Sequence, residues 1–167
     1  MNKRPKLKIE LSQPDRIIEI LGWSSLFILW FFILFYYSDL PETIPTHFNG
    51  TGKVDNYGNK LTILILPIIS TIVFVGLSIL NKFPHIFNYP TEITVENALK
   101  KYTLATKMIR YLKFMIVLIF SFIVYMTFSS VKGNESTFNP LFLAIIFVLI
   151  AIPIGYYSVK MMNKEKS

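Results

Sequence analysis

The sequence predicts an all-α integral membrane protein. The expected form is a four-helix bundle with both termini cytoplasmic and an ordered extracytoplasmic loop between helices 1 and 2. Three observations carry this reading. Of 167 residues, 53% are hydrophobic and only 16% charged, whereas a soluble domain carries roughly 45–50% apolar residues with glycine included and about 25% charged. The apolar residues gather in four blocks without a charge, at 20–37, 61–80, 114–131 and 140–159. Each is about 18–20 residues long, roughly 27–30 Å as a helix, which matches the hydrocarbon thickness of a bilayer. The cations are also divided unequally: fourteen of the 17 Lys and Arg lie before the first block, between the second and third, or after the fourth. Only Lys53, Lys60 and Lys132 occupy the other two connections. The positive-inside rule then places both ends in the cytoplasm.

The same composition excludes several classes. High hydrophobicity excludes an intrinsically disordered chain. With no cysteine, disulfides, Cys-ligated zinc, iron–sulfur clusters and thiol catalysis are ruled out. The net charge of +7 reads as a topology signal and not as a nucleic-acid footprint, because no stripe combines the cations with stacking aromatics.

Lys3, Arg4, Lys6 and Lys8 precede the first block, which is too long for a signal-peptide core of roughly 7–15 residues and reads as a retained anchor. Ser12 with Asp15 is a helix-start pattern leading into that block through Arg16 and Glu19. Pro67 and Pro153 fall inside the second and fourth blocks and predict bends, and Gly22, Ser25, Gly76, Ser78 and Gly155 are candidate close contacts between helices. Thr94 and Glu96 predict the start of a helix running from about 95 to 130. Its first third is an amphipathic cytoplasmic extension on which Lys100, Lys101, Lys107 and Arg110 are candidate contacts for lipid headgroups or a cytoplasmic partner. Glu19 and Lys113 sit just outside the block ends, within reach of the interface.

No ionisable side chain lies within a block, which argues against a proton relay. The informative segment is the connection 38–60, SDLPETIPTHFNGTGKVDNYGNK. Pro41 and Pro45 stiffen its start, and Asn49-Gly50 and Asp55-Asn56-Tyr57-Gly58 are turn signals. Gly50 and Gly52 are candidate positive-φ positions. Thr46-His47-Phe48 and Lys53-Val54-Asp55 are expected to pair as a short hairpin, with Ile44, Phe48, Val54 and Tyr57 packed toward the helices. His47 with Asp39, Glu42 and Asp55 falls short of a metal-ligand pattern. Ser38, His47 and Asp55 have no GxSxG context for nucleophilic catalysis, so neither cofactor, metal nor enzyme is expected.

Within that connection, LPETIPTHFNGTGKVDNYGNK resembles the signature of the DUF1648 family of bacterial membrane proteins. The matching positions are Leu40, Pro41, Ile44, Pro45, His47, Phe48, Asn49, Gly52, Asp55, Tyr57, Gly58 and Lys60. A second stretch at 88–113, beginning NYPTEITVENA, is similar to an inner segment of many such proteins. The resemblance implies a multi-pass protein of the bacterial cytoplasmic membrane, in a short four-span form. Relatives of the family include immunity proteins against a sporulation-delay toxin, and no catalytic role comes with the motif. The expected function is non-enzymatic recognition of a peptide, a lipid or another membrane protein by the outer loop. The alternatives are a small oligomeric transporter or channel subunit, and a purely structural role.

Overall fold

A computed structural model describes residues 4–133 and 141–163. Its order is α1 (Gln13–Tyr36), β1 (Thr43–Phe48), β2 (Val54–Asn59), α2 (Ile65–Leu80), α3 (Val95–Val131) and α4 (Leu141–Met162), with short 3-10 turns between. Lys3, Pro140, Lys164 and Lys166, which enter the block and charge reading, lie outside the described residues.

Among the described residues, four helices are long and apolar enough to cross a membrane. Helix α1 starts as expected: the backbone N–H and the hydroxyl of Ser12 both donate to Asp15 Oδ2. Its buried residues, Asp15, Gly22, Leu26, Leu29 and Ile33, recur at steps of three, four or seven and form one stripe. The opposite face leaves Phe27, Ile28, Phe31, Leu34 and Phe35 each about 60–70% exposed. Such a face is unfavourable in water and well suited to lipid.

The second expected span begins differently. Residues 60–64 form a 3-10 turn, and α2 starts only at Ile65. Pro67 is the third residue of α2 and lies within the continuous helical segment Lys60–Leu80. Pro153 lies inside α4.

Helix α3 is the organiser, packing against α1, α2 and α4. Its 37 residues span roughly 55 Å, well beyond a bilayer core, so the amphipathic extension is part of one continuous helix. On that extension Ala98, Tyr102 and Ala105 are buried, while Val95 and Leu99 face outward. Helix α4 lies along α3 with none of its apolar window buried. The bundle is thus three interlocked helices with a fourth on the periphery.

The core divides into layers. At the hairpin end, Leu29, Ile33, Leu40, Ile44, Ile63, Val124 and Phe128 form one cluster. Mid-bundle, Leu26, Phe74 and Val117 form a second. At the opposite end, Ile93, Ala98 and Tyr102 pack with Leu7, Ile9 and Tyr89. The N-terminal segment is therefore a strap across that end, fastened by Arg4 Nη1 donating to the carbonyls of Phe87 and His85 at 2.7 and 3.3 Å.

Candidate functional site

The hairpin is the candidate site, and most of its motif residues make the fold. β1 and β2 pair antiparallel, with Thr43 opposite Asn59 and Ile44 opposite Gly58. The ladder is longer than the three-residue pairing expected from sequence. Leu40 and Ile44 are 3% and 1% exposed and plug the hairpin into the helix ends. Pro45 is buried beside them.

The turn is held by one side chain: Asn49 Oδ1 accepts from the backbone N–H of Thr51 and Lys53 and from the Thr51 hydroxyl, at 2.8 to 3.1 Å. Gly52 has φ of +80°, a conformation that favours glycine. Gly50 is not in that region, so only one of the two expected positive-φ glycines is used. Gly58 has a packing role: a Cβ there would lie 2.9 Å from Thr46 Cγ2. Lys60 closes the base by pairing with Glu42 at 2.9 Å and lying over the Tyr37 ring. Pro41 is exposed at the entry.

Phe48 is partly buried opposite Val54, and His47, Asp55 and Tyr57 are left. His47 Nδ1 contacts Asp55 Oδ1 at 2.5 Å, with the two side chains 65% and 42% exposed. An exposed pair of this kind adds little to folding. Tyr57 is 61% exposed, and of the four residues expected to pack inward only Ile44 is buried, with Phe48 and Val54 partly exposed. Tyr57 stands opposite Pro45 on the ladder, and the register shifts on either side of His47 break the simple alternation that would relate it to Val54. A register irregularity around His47 leaves Asp55 without a direct partner on β1 and sets its carboxylate beside the imidazole. Ser38 makes no hydrogen bond to His47 among the described residues. No group of three potential metal ligands converges among them either.

At the other end, sequence reasoning missed a buried charge network between α1 and α3. Lys113, only 1% exposed, donates to both carboxylate oxygens of Glu19 at 2.9 and 2.7 Å and to Ser78 Oγ at 2.7 Å. Its ammonium also sits 4.5 Å from the centre of the Phe74 ring. Arg110, 4% exposed, reaches Asp15 Oδ1 at 3.5 Å and Glu19 Oε1 at 3.4 Å, and Lys107 reaches Asp15 Oδ2 at 3.5 Å.

This corrects the expectation for the basic helix. Lys107 and Arg110 turn inward to carboxylates, because an unpaired charge at a helix interface costs more than a paired one. Lys101 donates to Thr91 Oγ1 and the Glu92 carbonyl. Lys100 alone of the four is exposed. The signal was available: acids at 15 and 19 share one face of α1, and cations at 107, 110 and 113 share one face of α3. Nearby, burial pushes the Tyr89 phenol above its ordinary pKa, with Tyr102 adding to the shift.

Comparison with known proteins agrees with the motif. The family model of DUF1648, a domain of unknown function, matches residues 25–71, which take in the second half of α1, the hairpin and the start of α2. The inner stretch at 88–113 lies outside that match. An uncharacterized protein of the archaeon Archaeoglobus fulgidus is 33% identical over 88 residues, 48% of this chain and 48% of the relative. The chain thus covers about half the length of the relative it matches. No solved structure matches the chain.

Proposed function

We propose that this chain is a non-enzymatic, multi-pass membrane protein that recognises a peptide or another membrane protein through its hairpin, displayed on the outer surface with both termini inside. One observation carries the reading: the motif splits into residues that build the hairpin and a trio, His47, Asp55 and Tyr57, that the hairpin does not need. Leu40, Ile44, Pro45, Asn49, Gly52 and Gly58 explain themselves by burial, turn geometry or contact. A half-exposed tyrosine beside a His–Asp pair offers a ring face, a donor and an acceptor on a rigid two-stranded support. Tyrosine in such a position is a common recognition anchor because it contributes area at low entropic cost.

The test is survival of cells challenged with a panel of membrane-active peptides, with native protein or His47→Ala/Asp55→Ala/Tyr57→Ala. The triple variant is expected to reach the membrane at native level, because none of the three side chains is buried. It is also expected to lose protection against any peptide that the native protein resists. Equal survival with and without the native protein across the panel would rule out the immunity form of this reading.

A further inference from the structure

At the end opposite the hairpin, an open cleft of about 1100 Å³ lies between the N-terminal strap, the start of α1 and the end of α2. We propose that it seats the headgroup of an anionic phospholipid. The first support is charge. Lys6, Lys8, Arg16 and Lys82 line the cleft, and none of them makes an ion pair among the described residues. Two acids, Glu10 and Glu19, also line it, but Glu19 is occupied by Lys113 and Arg110. One carboxylate is therefore left against four unpaired cations.

The strap places two of these cations. Exposure alternates along residues 4–10: Leu7 and Ile9 turn inward onto the Tyr102 cluster, and Lys6 and Lys8 turn outward. Behind the exposed cations stands a buried donor. The Arg110 side chain is 5% exposed, lines the cleft, and its Nε has no hydrogen-bond partner although Glu19 lies 3.4 Å away. Asn81, on the same wall, donates to the Thr106 carbonyl while its own carbonyl oxygen is unpartnered. A buried donor and a buried acceptor facing a basic cleft suit a phosphodiester with a hydroxylated headgroup.

The apolar rim selects a lipid over a soluble anion. Trp23 and Phe83 line the cleft at 50% and 46% exposure. Trp23 is flanked by Ile20 and Leu21, exposed at 65% and 47%, so the cleft opens onto the apolar face of α1. Acyl chains would follow that face while the phosphate meets the cations, and Trp23 sits at the depth where indole rings favour the interface.

Trp23 supplies its own readout. In a Trp30→Phe background it is the single tryptophan of the full chain, and it can be reconstituted in phosphatidylcholine vesicles containing either brominated phosphatidylglycerol or brominated phosphatidylcholine. Selective quenching by brominated phosphatidylglycerol is expected. The amount giving half-maximal quenching should rise about 5-fold per cation removed, on the order of 25-fold for Lys6→Gln/Lys82→Gln. Lys53→Gln/Lys132→Gln, which removes the same charge at the hairpin end, should leave it unchanged. Equal quenching by the two brominated lipids, or equal loss in both double variants, would overturn the proposal. Reversal of the quenching by inorganic phosphate would assign the cleft to a soluble anion and overturn it as well.

Discussion

Glu19→Ala is expected to be among the most damaging single substitutions in the chain, costing about 3–5 kcal/mol of helix-bundle stability. It leaves the buried Lys113 ammonium with Ser78 Oγ and the Phe74 ring as its remaining close partners, and with the Arg110 guanidinium alongside on the same helix. A hydroxyl and an aromatic face stabilise a cation only partly, and the neighbouring guanidinium repels it. Removing one partner of a buried pair is worse than removing both, because the survivor keeps its desolvation cost. Glu19→Leu/Lys113→Met should therefore recover much of the loss. Unfolding in a detergent titration, followed by helical circular dichroism, measures both. Additive losses in the double variant would mean that the two side chains do not depend on each other.

The second large effect is expected at Gly22. A Cβ there would lie 2.7 and 2.9 Å from Phe74 Cε2 and Cζ, inside any acceptable carbon contact. Phe74 cannot easily move aside: it is fully buried, edge-on to Trp23 at 4.9 Å, with the Lys113 ammonium over its face. Gly22→Ala should cost about 1–3 kcal/mol through overpacking, even after the gain of up to about 1 kcal/mol in helix propensity. Phe74→Leu alone opens space and loses contacts. Combined with Gly22→Ala it should be less damaging than the sum of the two, because the methyl occupies part of the space the ring vacates. The same detergent titration reads this cycle, and simple additivity would show that Gly22 does not set the distance between α1 and α2.

How much of this was legible in the sequence depended on whether the signal was local. The four apolar blocks, the Ser12–Asp15 helix start and the hairpin around Asn49 are each written within a few residues, and each appears at its place. The charge network is not local. Its members lie more than 90 residues apart, and Arg110 and Lys113 look like a basic collar until α1 and α3 are known to face each other. The exposure of Tyr57 was not legible, because the register shifts around His47 are not written in the local sequence. The strap was legible in principle from the alternation Lys6-Leu7-Lys8-Ile9-Glu10, which the nearby basic run masked.

The hairpin and the charged end must lie on opposite sides of a membrane if the hairpin is a recognition surface. The natural absence of cysteine makes this directly measurable. Tyr57→Cys, at the exposed hairpin position, and Lys82→Cys, exposed in the turn just after α2, each introduce the single thiol of the chain. In intact cells, a membrane-impermeant maleimide is expected to label Tyr57→Cys and to label Lys82→Cys only after permeabilisation. Labelling of Lys82→Cys from outside while Tyr57→Cys stays protected would invert the orientation and contradict the recognition role proposed for His47, Asp55 and Tyr57.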